Sequence, residues 1–117
     1  PLGGKYSIGH GLANTMMLMA VMNFNLPAAL EKFADIAEAM GECTDGLPAR
    51  EAAYLALDAV EALIEDCGIH ASLADFGITE KDFPELADVA LTVARPLENN
   101  PRKVTKDDAI AMYAQAL

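Results

Sequence analysis

From Tyr6 to Ala29 the chain carries no Asp, Glu, Lys or Arg, and His10 is the one titratable group in that run apart from Tyr6. So long a charge-free stretch has to be covered, because leaving its apolar side chains in water forfeits the free energy of burial. Its Leu and Met residues are unbranched at Cβ, which suits a helix better than a strand. The length raises the question of a membrane span. Asn14, Thr15, Asn23, Asn25 and Pro27 interrupt the run, however, and basic flanks are missing. The expectation is a helix from about His10 to Phe24, buried on all sides by protein.

The rest of the chain reads as helices separated by turn signals. Pro1 to Gly9, with Gly3, Gly4 and Gly9, predicts a loop that lets backbone approach something closely. Pro27 fits the first turn of a second helix, in which Leu30, Phe33, Ala37 and Met40 form the apolar stripe and Gly41 the stop. After the turn-rich Cys43 to Pro48, a longer helix presents Ala53, Leu57, Val60, Ile64 and Cys67, and Gly68 ends it. Ser72 to Asp75 predicts a short helical turn, and Thr79 with Asp82 resembles a capping box. Pro84 then sits in the first turn of a helix carrying Leu86, Val89, Ala90 and Val93. Pro96 and Asn99-Asn100-Pro101 break the chain, and Thr105 with Asp108 repeats the capping pattern before Ile110, Tyr113 and Leu117. No strand pattern of any length is present, so the fold class is all-α, with about five helices.

At 117 residues the length suits one domain. With 18 acids against 8 bases, the formal charge of -10 argues against a nucleic-acid surface or an anionic membrane and fits a cytoplasmic protein. The chain opens on Pro1 and not Met, so a preceding segment is expected. Cys43 and Cys67 form no CxxC pair and are expected as free buried or semi-exposed thiols. Met16, Met17, Met19 and Met22 are read as core packing and not as a soft-metal surface.

Two histidines are present. His10, at a helix start between two glycines, is the candidate ligand, although a lone His near a core is more often structural. His70 follows a helix stop and reads as surface. Lys5 and Tyr6 lie near His10 along the chain and are candidates for contact with cofactor or substrate. Asn14, one turn after His10, could orient the imidazole or cap backbone.

The run Pro1-Leu-Gly-Gly-Lys-Tyr-Ser-Ile-Gly-His-Gly-Leu-Ala-Asn14 closely resembles a signature of the iron-containing (group III) alcohol dehydrogenases, in which PLGG-x-Y is followed by I-P-H-G-L-A-N. The resemblance continues through LPAALEKFADIAEAMG, FGITEKDFPELADVAL and the ending from Glu98 to Asp108, so it covers the whole chain. It departs at Gly9 and Met19, where the family commonly has proline. HGLAN and the NNPR-x-VT ending favour this branch over glycerol dehydrogenase or dehydroquinate synthase relatives.

The resemblance implies that residues 1–117 are a C-terminal helical metal-binding domain whose nucleotide-binding domain lies upstream. It also implies that His10 is the last of four metal ligands, the other three, one aspartate and two histidines, preceding Pro1. The complete protein would then be an NAD- or NADP-linked alcohol dehydrogenase using Fe(II) or Zn(II), with a small alcohol or aldehyde as substrate and a homodimer as its candidate assembly. The isolated chain is expected to be inactive. The alternative is a stand-alone helical interaction or dimerisation module.

Overall fold

The computed structural model describes residues 1–117, whose regular elements are all helical. Seven α-helices are present: α1 Leu2–Tyr6, α2 His10–Asn25, α3 Leu30–Ala39, α4 Ala49–Asp66, α5 Phe83–Ala90, α6 Ala94–Glu98 and α7 Lys106–Ala116. Five of them, α2 to α5 and α7, have eight or more residues. Short 3-10 turns occupy Leu26–Ala28, Leu73–Phe76 and Glu80–Asp82. No helix is long and apolar enough to cross a membrane.

The chain divides into two compact units, Pro1–Val21 with Ala71–Leu117, and Met22–His70. The second unit is built on α3 and α4. Phe33 and Ala37 on α3 and Ala52, Ala53, Ala56 and Leu57 on α4 are buried. The alanines are small enough to let the helices approach closely while Phe33 supplies volume. Gly41 (φ 91°) and Gly68 (φ 73°) take the left-handed conformation that closes the two helices, as their positions after each apolar stripe predicted. Val60 and Ile64 are half-buried, whereas Met40 and Cys67 are exposed, because each stripe runs past the end of its packed face. Cys43 is also exposed, in the turn between the helices.

The first unit has its core in Leu2, Ile8, Leu73, Ile78, Leu86 and Tyr113. Here α5 packs on α7, and the Phe83 and Tyr113 rings stack with centroids 6.1 Å apart. The three capping boxes at Ser72, Thr79 and Thr105 are all formed, since each needs only a residue and its third neighbour. The face of α5 differs from expectation. Phe83, Leu86 and Ala87 point inward, while Val89 and Val93 are 45% and 46% exposed.

Four further readings are corrected. The glycine-rich opening is not all loop: α1 forms because Leu2 and Ile8 anchor either end in the core, and the Lys5 N–H donates to the Pro1 carbonyl at 3.0 Å. Pro27 lies in a 3-10 turn ahead of α3 and not within α3 itself. Pro96 does not break the chain, because it stands in the first turn of α6, where a helix has no use for its missing N–H. Lastly, α2 is not buried on all sides. Ala20 and Asn25 are its only buried residues, and Leu18 is 39% exposed, so this helix has more apolar surface than the chain itself covers.

Candidate functional site

His10 is the first residue of α2, and the segment that delivers it is fixed from both sides. Upstream, Ile8 is buried in the core. Ser7 makes the bend in the left-handed region (φ 55°) that turns the chain out of α1. Downstream, the Gly9 carbonyl accepts the Ala13 N–H at 2.9 Å and starts the helix. A Cβ built at Gly9 meets nothing within 4 Å, so the residue that stands where the family commonly has proline is not required to be glycine by crowding. At Met19, the other departure, α2 passes through without interruption.

The His10 ring is exposed, and its Nε2 lies 3.2 Å from the Asn14 side-chain Nδ2. Thr15, beside Asn14, is engaged separately, its hydroxyl donating to the Gly11 carbonyl at 2.9 Å. His10 and Asn14 open on a recess of about 610 Å³, whose other walls include Met17, Leu18, Val21 and Tyr113. Burial pushes the Tyr113 phenol above its ordinary pKa. Leu18, Val21 and Tyr113 were not anticipated as neighbours of His10. The helical repeat could have placed Leu18 and Val21 on its side of α2, but nothing local to α7 marks Tyr113.

No three His, Cys, Asp or Glu side chains of the chain stand close enough together to hold a metal ion. The donor set for any metal at this end of α2 is therefore a single imidazole. One imidazole fits one position of a site that usually takes four ligands, and it needs the others from outside these residues. His70 is exposed in the turn after α4.

Lys5 and Tyr6 are engaged with groups of the chain itself. Lys5 Nζ forms a 2.6 Å ion pair with Glu85 and lies 5.6 Å from the centroid of the Tyr6 ring. Its pKa is raised, first by that hydrogen bond. Tyr6 packs against the core, with its hydroxyl buried and out of hydrogen-bond geometry. Burial raises its pKa, and the Asp82 carboxylate adds to the effect. The pair thus ties α1 to the start of α5.

Comparison with known proteins adds a second line. The sequence profile of the Fe-containing alcohol dehydrogenase family, C-terminal, matches residues 1–117. The chain is 46% identical to 1,3-propanediol dehydrogenase from Citrobacter freundii over 98% of its own length and 30% of that protein's. It is 40% identical to lactaldehyde reductase from Escherichia coli (strain K12), over 99% and 30% respectively. A crystal structure of 1,3-propanediol oxidoreductase superposes with a TM-score of 0.94 at 44% identity, covering 99% of this chain and 30% of that one. The chain thus spans about 30% of the length of the relatives it matches.

Proposed function

The chain belongs to the Fe-containing alcohol dehydrogenase family, and we propose that it is the helical part of an NAD(P)-linked enzyme interconverting alcohols and aldehydes, to which it contributes His10 as one metal ligand. The observation that carries the reading is the exposed His10 imidazole at the start of α2, beside a recess, within the one stretch that matches the family signature residue for residue except at Gly9. A divalent metal, when bound, supplies Lewis acidity to the alcohol oxygen and lowers its pKa. An imidazole suits Fe(II) and Zn(II) alike.

The chain's own contribution is to hold and to shield. Ile8 and the start of α2 fix the backbone of His10, so the ring has little freedom beyond its own torsions. Met17, Leu18 and Val21 give the recess an apolar wall, which keeps water from part of the site and lowers the local dielectric. Lys5 and Tyr6 hold α1 in place through Glu85 and the core, and they stay the candidates for contact with cofactor or substrate. One imidazole cannot retain a metal by itself, because affinity comes from several ligands presented together.

The test is an assay of alcohol-dependent NAD(P) reduction with Fe(II) or Zn(II) supplied. It is run on the native polypeptide that carries this sequence and on the 117-residue chain alone. Activity is expected in a native polypeptide of the relatives' length and absent from the isolated chain. Turnover by the isolated chain, or none by the longer protein across short alcohols and diols, refutes the proposal.

A further inference from the structure

We infer that Tyr113 is a specificity-determining residue: its hydroxyl hydrogen-bonds a second polar group of the alcohol, so the site prefers an alcohol carrying a further hydroxyl or a carbonyl to one with a plain hydrocarbon tail. For the reacting end of the substrate, which His10 marks, this rests on the proposed function. The Tyr113 side chain is 6% exposed, and its ring is held in the core by stacking on Phe83. It also lines the recess on which His10 opens, and its hydroxyl, unlike that of Tyr6, is not sealed from solvent. No group of the chain hydrogen-bonds that hydroxyl, and burial alone moves its pKa.

Three polar side chains face the recess, and two of them, His10 and Asn14, are in contact with each other. The Tyr113 hydroxyl is the one left over. A phenylalanine would stack on Phe83 equally well, so packing does not account for the oxygen. Met17, Leu18 and Val21 make the neighbouring wall apolar, and a ligand that fills the recess takes water away from the phenol. A hydroxyl that loses water and gains no other partner costs free energy. A hydrocarbon tail offers no partner, whereas a hydroxyl or carbonyl does, because a phenol both donates and accepts. The site therefore discriminates by penalising the plain alcohol as well as by holding the one with a second polar group.

The native polypeptide, supplied with Fe(II) or Zn(II) and NAD(P), is assayed on matched pairs: propan-1-ol against 1,2- and 1,3-propanediol, and butan-1-ol against 1,4-butanediol. Wild type should favour at least one diol over its parent alcohol in kcat/KM. Tyr113→Phe should shrink that ratio about tenfold, the worth of one neutral hydrogen bond. A second readout needs no turnover. With tyrosine isotope-labelled at Cζ and no nucleotide present, the carbon signal that Tyr113→Phe removes should move in wild type when the favoured diol is added, and stay in place with the parent alcohol. Because Tyr113→Phe keeps the ring, its urea unfolding midpoint without substrate should match wild type. A lower midpoint shows that a group of the polypeptide already holds the hydroxyl, and overturns the inference. No diol favoured, an unchanged ratio in Tyr113→Phe, or a signal indifferent to the diol also overturns it, while the enzyme reading stands. Turnover of no alcohol at all sinks both.

Discussion

Replacing Ile8 by alanine tests whether the segment before His10 is held by the core. Ile8 is 3% exposed and belongs to the cluster with Leu2, Leu73, Ile78 and Leu86. Truncation removes about three carbons, worth about 2.4 kcal/mol at about 0.8 kcal/mol each. The cavity left behind adds to this, since α1 and the start of α2 cannot both collapse onto it, and core Ile→Ala changes cost about 2–5 kcal/mol. A loss near 3 kcal/mol, with a urea slope of about 2 kcal/mol/M, lowers the unfolding midpoint by about 1.5 M. Ile8→Val should cost about 1 kcal/mol. Leu57→Ala in the other unit, 5% exposed, is the control. It should cost comparable stability, yet at a temperature where both variants are folded only Ile8→Ala should weaken metal retention by the native polypeptide. An Ile8→Ala cost under about 1 kcal/mol, below the usual range for a buried isoleucine, refutes the anchoring role.

Gly4 lies inside α1 with nothing within 4 Å of a built Cβ. Gly4→Ala should therefore stabilise the chain by about 0.5–1 kcal/mol in urea unfolding, and a loss of stability would refute the packing described. Thr105→Ala removes the side chain that accepts the Asp108 N–H at the start of α7, and a cost of about 1 kcal/mol is expected from the same measurement. Asp82 and Asp108 are held below the usual carboxylate range, first by the Thr79 and Thr105 backbone N–H groups respectively. Their folded pKa values are depressed, so the stability they add is present above the unfolded value of about 3.9 and is lost as pH falls through the folded values. Unfolding midpoints measured down that range should fall less steeply in the Asp82→Asn, Asp108→Asn double variant, and an unchanged slope would contradict this.

What could be read in the sequence was mostly what is local. Gly41 and Gly68 as stops, Ser72 to Asp75 as a short helical turn, and Thr79 and Thr105 as caps each depend on a few neighbouring residues, and all took the expected form. His10 and Asn14 were singled out because a helix start and a one-turn spacing are also local. The misreadings came from distant parts of the chain. Glycines at 3 and 4 signal a loop until Leu2 and Ile8 find a core assembled largely from residues beyond 70. The partners of Lys5 and Tyr6 in space, Glu85 and Asp82, lie far along the chain and could not be read beside them. Val89 and Val93 were placed inside on hydrophobicity, but the phase of α5 is set by Phe83 stacking on Tyr113. The expected burial of α2 followed from its lack of charge, and within these residues that burial is partial.

The most direct test of the account is the metal content of the native polypeptide after exhaustive dialysis, compared between wild type and His10→Gln. Wild type should retain Fe or Zn. The variant should lose it, with affinity reduced by more than the roughly 10–100-fold that removal of an outer hydrogen-bond partner costs. Equal metal retention by His10→Gln would contradict the assignment of His10 as a ligand.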